Sequence, residues 1–286
     1  MGVRHASLLI GVGVLIAAVV TAVPALASSD PSAGSPSKPV NQGGWAPGSE
    51  QYSGLTPSQT AQIQQKVLFA QGLRTAGSRP NQPMCPTTPV SAGLCTPPPA
   101  KSITIGLQPQ PNSCWCGPES THNLLMHWGI DIAVSTLASP AIENSICDGS
   151  TGTDRAHVAY GSNHYQSYNP YVWLVLGNPG GANNGLGDLW NNTVTDIYYN
   201  FPEIANVRTY GYDPIQARYR YPLSPYSGYD IRHYFPQNSY NTSGMVIGGY
   251  DQNNAYNNGN GFVYNYYYED LWAAIHNHPL VDQIMW

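Results

Sequence analysis

Apolar positions along the chain change their period several times, and each change marks a boundary. The first run, Leu8 to about Val23 in "MGVRHASLLIGVGVLIAAVVTAVPALASSD", is continuous, follows Arg4 and His5, and closes on Pro24 and the small-residue site Ala25-Leu26-Ala27. It is shorter than the ~20 apolar residues a membrane span needs, and its flanks read as an export signal cut after Ala27. Residues 28–52 are rich in Ser, Pro and Gly without periodicity, which predicts a disordered linker. In "TPSQTAQIQQKVLFAQGLRTAG", Thr56, Pro57 and Gln59 form a capping-box start, and Ile63, Val67, Leu68 and Leu73 make one apolar stripe. A helix of about 17 residues is predicted there. Seven prolines then punctuate "GSRPNQPMCPTTPVSAGLCTPPPAKS" and rule out a helix or central strand. Residues 53–100 are thus an N-terminal helix followed by a Pro-rich loop.

Residues 101–286 form a further unit, long enough for one well-buried domain. Helical spacing runs from about Gly117 to Trp128 through Leu124 and Leu125. Later, "IRHYF", "GMVIGGYD" and "GFVYNYYY" read as strands, and "YEDLWAAIHNH" as a helix stopped by Pro279. A helix followed by antiparallel strands predicts an α+β domain.

The charge pattern narrows the partners. A net charge of -5 with only 9% charged residues and no basic run argues against nucleic acid or an anionic membrane surface. The mature chain is expected to be secreted, extracellular and monomeric, free of the membrane once the signal is removed. Tyrosine is unusually common, 21 against 4 Phe. Polar strands and loops account for that, and an aromatic surface for glycan or cell-wall polymer is the alternative.

An exported chain with five cysteines leaves at least one thiol over. Composition alone leaves the pairing open. Local sequence favours Cys85 with Cys95, closing the Pro-rich loop, and Cys114 with Cys147, fastening the helix start to the chain beyond its end. Cys116 is then free. It stands directly before Gly117-Pro118, and Pro suits the first position of a helix. At a helix N-terminus the partial positive charge and unpaired N–H groups favour thiolate.

Acyl transfer by a thiolate also needs an oxyanion donor and an oriented base. Gln110, five residues before Cys116 in "QPNSCWC", is the candidate donor, with Gln108 next. His122 and His127 ride on the nucleophile's own helix. His157 and His164 fall in a polar connecting stretch, and His276 and His278 end the last helix, where the macrodipole favours cations. His233 remains, and strand alternation puts it on one face with Ile231 and Phe235. Zinc spacings are absent, since His122 and His127 are five apart without an intervening Glu. No metal and no cofactor is expected.

Gln110, five residues, Cys116-Gly117-Pro118 opening a helix, and a late His-Tyr strand resemble the papain-clan cysteine peptidases. Within them the chain resembles the family of peptidases that cleave double-glycine bacteriocin leaders. The resemblance covers roughly Ile103 to Trp286 and implies a papain-like fold, with the nucleophile's helix packed on an antiparallel sheet carrying the base and its acid. It implies Cys116 as nucleophile, His233 as general base, Gln110 as oxyanion donor and Asp251, 18 residues beyond His233, as orienter, with Tyr240 at the turn position. Asp213, Asp230 and Asn265 are reserve orienters. Ser239 stands where the family usually has Gly, Arg232 precedes the histidine, and Gln252 follows the acid where Pro is usual. A rival register puts "SGMVIGGYD" on the histidine strand, with Met245 in place of the base. The implied activity is a thiol hydrolase acting on peptide or amide bonds, with cell-wall material a candidate substrate. The alternatives are a catalytically inactive papain-like binding protein for cell-wall polymer or glycan, and a cysteine-stapled surface protein.

Overall fold

The computed structural model describes residues 56–76, 96–145, 147, 152–176, 185–253, 259–279 and 283–286. The export signal, the linker and the Cys85–Cys95 pair lie outside them. In chain order the elements are α1 (Pro57–Ala76), β1 (Ala100–Ser102), α2 (Cys116–Leu125), a 3-10 turn (Met126–Trp128), α3 (Val134–Leu137), α4 (Arg155–His164), β2 (Trp173–Val175), α5 (Leu186–Tyr198), β3 (Glu203–Arg208), β4 (Gly211–Asp213), β5 (Arg218–Arg220), β6 (Arg232–Asn241), β7 (Val246–Asp251), β8 (Phe262–Tyr267), α6 (Tyr268–His276) and β9 (Gln283–Met285). The fold is mixed α+β. The main antiparallel sheet runs β2-β9-β3-β6-β7-β8, with β1 also paired to β6, and β4–β5 form a separate hairpin.

The capping box at Thr56 forms as the spacing predicts: Gln59 N–H donates to Thr56 Oγ1 and Thr56 N–H to Gln59 Oε1. The stripe is shifted, however. Leu68 points to solvent, whereas Ile63, Lys66, Phe69 and Ala70 are buried. Lys66 replaces an apolar residue because its ammonium meets Asp196 at 2.8 Å and Asn169 at 3.2 Å, with the Trp286 ring 4.2 Å from it. A polar residue on the inner face can be seen only once its partners are known. The helix is also longer than its apolar stripe, at 20 residues.

β6 is the spine of the sheet. Along one edge β3 pairs with Arg232 to Gln237, and β1 continues with Ser239 to Asn241. Along the other, β7 pairs from Gln237 onward, with a register shift between Gln237 and Ser239. "IRHYF" therefore continues as a strand through Pro236. The ring removes a ladder donor, which is tolerated at such an irregularity, and its carbonyl accepts from the Tyr264 hydroxyl at 3.1 Å. The first half of β6 is left without a β7 partner on that side, and α2 docks there.

All ten residues of α2 are buried, so the helix has no solvent face. Its polar side chains are matched instead: Asn123 exchanges hydrogen bonds with the Gln108 backbone, and His122 Nδ1 lies 2.7 Å from the Ile132 carbonyl. The 3-10 turn ends at Gly129, whose φ of 73° suits glycine. α4 is a correction to the polar connecting stretch expected around His157 and His164. Asp154 caps it by accepting from His157 N–H at 3.0 Å. Its weak apolar periodicity hid it.

Candidate active site

Asn112 prepares the start of α2. Its Oδ1 accepts from the N–H groups of Cys114 (3.1 Å) and Trp115 (3.0 Å), turning the chain into the helix. Cys114 is bonded to Cys147, and among the described residues Cys116 is the free cysteine. A side chain at position 117 would have its Cβ 2.7 Å from Thr153 Cβ, so the segment leading into α4 can approach only a glycine there.

Cys116 meets the open half of β6. The His233 ring first, and then the Tyr234 and Gly117 N–H groups, are the neighbours that favour a charged sulfur there. Burial alone would raise the thiol's pKa, but His233 and the two N–H groups together bring it below the ordinary value. His233 is buried, with Nε2 2.9 Å from Asp251 Oδ1. Burial would lower the imidazole's pKa; the Asp251 carboxylate and the Cys116 sulfur outweigh it and raise it to about 10. Both shifts favour a thiolate–imidazolium pair.

Asp251 is buried and well supplied with donors. Besides His233, its Oδ1 accepts from Asn253 N–H at 3.0 Å and its Oδ2 from the Tyr226 hydroxyl at 2.5 Å. Gln110 is buried nearby: its backbone N–H donates to the Gln252 carbonyl at 2.7 Å and its Nε2 to the Asn112 carbonyl at 2.8 Å. An amide nitrogen carries two hydrogens, so this leaves one for a ligand. Cys116, His233, Asp251 and Gln110 are thus gathered by one set of contacts.

Tyr226 escaped the sequence reading, and Gln252 stands in it only as a departure from the family pattern. Gln252 Nε2 shares its two hydrogens among the Cys116 carbonyl (3.0 Å), the Ser120 hydroxyl (2.8 Å) and the Tyr234 carbonyl (2.5 Å). It bolts the nucleophile's helix to the histidine's strand and, through its own carbonyl, to the Gln110 loop. Its position directly after the acid was the available signal. Gln252→Ala is expected to lower stability by about 1–3 kcal/mol, because buried acceptors lose their donor, read as an earlier denaturation midpoint.

The other candidates are engaged elsewhere. Asp213 pairs with Arg220, Asp230 with Arg208, and Asn265 lies on β8 opposite Gly248. Met245 sits in the turn before β7 with φ 49°, while β6 carries His233, so the rival register has no place. His276 stacks on Trp272 at 4.8 Å. His278 is no cationic cap: it is buried, and desolvation aided by nearby arginines lowers its pKa to about 3, which keeps it neutral. No protein-family model matches this chain, and comparison with curated proteins and with solved structures likewise returns no match.

Proposed function

We propose that the chain is a secreted, papain-like thiol hydrolase that cleaves peptide or amide bonds. The observation that carries this reading is His233, buried between the Cys116 sulfur and the Asp251 carboxylate. The Cys116 thiolate attacks the carbonyl carbon and pushes its electron pair onto oxygen. The helix N-terminus and the remaining Gln110 N–H stabilise that oxyanion. Protonated His233 gives its proton to the departing amine as the C–N bond breaks, leaving a thioester. Water then adds as neutral His233 takes its proton, and collapse of the second tetrahedral species releases the acid and restores the pair. Asp251 keeps the ring oriented throughout.

The test is alkylation of the intact secreted protein by iodoacetamide, followed by mass mapping. Cys116 is expected to react with a pH midpoint below the ordinary thiol value, because His233 and the N–H groups lower its pKa. Cys114 and Cys147 should resist until reduced. Recovery of Cys116 in a disulfide overturns the reading. The pair also contributes to stability with a definite sign. His233 is raised from 6.5 to about 10 on folding, so its contribution is present in full below pH 6.5 and is lost as pH rises through about 10. Hydrolysis should fall on the same alkaline limb, since the leaving amine then finds no proton.

A further inference from the structure

The β4–β5 hairpin turns its faces the wrong way round for a ribbon stabilised only by folding. Its register pairs Gly211 with Arg220, Tyr212 with Tyr219 and Asp213 with Arg218. Alternation puts Gly211, Asp213, Arg218 and Arg220 on one face and Tyr210, Tyr212, Tyr219 and Tyr221 on the other. An ordinary half-solvated ribbon buries its aromatic face. Here Gly211, Asp213 and Arg220 are turned inward, while Arg218 at the turn end of the ribbon is exposed and bonds Gln216. Asp213 is fully buried, Arg220 bridges it and Asp270 of α6 at 2.5 Å each, and a Cβ at Gly211 would lie 2.4 Å from Asn277.

The tyrosine face is outward at Tyr212 and Tyr219 and half-buried at Tyr210 and Tyr221. Tyr219 is 68% and Tyr212 45% exposed. The four rings form one cluster, with centroids 4.7 Å apart for Tyr210–Tyr221, 6.1 Å for Tyr210–Tyr219 and 5.5 Å for Tyr212–Tyr219. Burying an ion pair is costly in itself, and leaving aromatic rings in water forgoes the gain of burying their apolar surface. Ring burial alone therefore does not set this orientation, and the exposed rings are left free to stack on a ligand.

We infer that this tyrosine face binds a neutral polysaccharide chain of equatorially hydroxylated pyranose rings. The chemistry of the face selects that occupant. It presents aromatic rings edged with hydroxyls and no aliphatic side chain, which matches a sugar's C–H face and its hydroxyl rim. Arg220 is held by Asp213 and Asp270 and Arg208 by Asp230, Arg218 is exposed with its guanidinium on Gln216, and a chain of net charge -5 without a basic run is not built to hold a phosphate backbone or an acidic polymer. The face also belongs to the His233 end of the sheet. Val207 pairs with His233 and Arg208 with Arg232 just before the hairpin begins, and Tyr226, soon after it, bonds Asp251. Glycan binding here does not depend on turnover by Cys116.

The experiment is titration of the mature secreted chain with two soluble probes, the β-1,4-linked hexamers of N-acetylglucosamine and of glucose, followed by calorimetry. At least one is expected to bind. Tyr212→Ala with Tyr219→Ala should weaken it by about tenfold or more, two lost stacking contacts at ~0.5–1.5 kcal/mol each. Tyr212→Phe with Tyr219→Phe should retain most of the affinity, because the rings remain. Unchanged iodoacetamide reactivity of Cys116 shows that the variants are folded. Failure of both hexamers to bind, or binding unaffected by the double alanine variant, overturns the inference. So does a protein partner that docks on this face while neither glycan binds.

Discussion

Alanine at His233 is expected to lower hydrolysis of any amide that the wild-type chain turns over by about 10²- to 10⁴-fold, the usual worth of a positioned acid–base group. It should also move the pH midpoint of Cys116 alkylation upward. The direction follows from the balance at the sulfur: burial raises the thiol's pKa, and His233 leads the groups that lower it. Without the imidazole only the Tyr234 and Gly117 N–H groups oppose desolvation, so the thiolate becomes scarcer at neutral pH. The fold is expected to survive, because Asp251 keeps the Tyr226 hydroxyl and the Asn253 N–H as donors. A midpoint that does not move would show that His233 and Cys116 are not coupled, and the base would have to be sought elsewhere.

The parts of this site that were legible in the sequence are those with a local signal. Gly117-Pro118 announces a helix start, which puts Cys116 among unpaired N–H groups. Period-two alternation puts His233 with Phe235, and their rings are 5.7 Å apart. Asp251 closes the next strand. Gln252 and Tyr226 were not legible in the same way. Gln252 reaches Cys116 across 136 residues of chain, and Tyr226 reaches Asp251 across 25, so no local pattern encodes either contact. Lys66 was hidden for a related reason: its place on the inner face of α1 follows from Asp196 on α5. The alternation of "YGYD" and "RYRY" is visible in the chain, but which face of β4–β5 turns inward is decided by Asp270 and Asn277 on and after α6. Periodicity locates elements, while the polarity of a face is settled by what packs against it.

Gln110→Ala is expected to separate the chemistry of the proposed oxyanion hole from that of the thiolate. Amide hydrolysis passes through a tetrahedral species with charge on oxygen, whereas iodoacetamide loses iodide from a saturated carbon and places no charge there. Removing one oxyanion donor costs about 10²- to 10³-fold in kcat, so hydrolysis should fall by that order. Alkylation of Cys116 should stay within a few-fold of wild type, because His233, Tyr234 N–H and Gly117 N–H still hold the thiolate. The loop itself should keep its place. The Gln110 backbone N–H bond to Gln252 is independent of the side chain, and Asn112 still turns the chain through Cys114 and Trp115. The lost side-chain bond to the Asn112 carbonyl sets the competing outcome: if both rates fall together with the denaturation midpoint, Gln110 holds the loop rather than the transition state. If neither rate moves, the donor is another group. Gln108 is then a poor second choice, since its backbone N–H and carbonyl are tied to Asn123 one turn beyond Glu119, along α2 from the nucleophile.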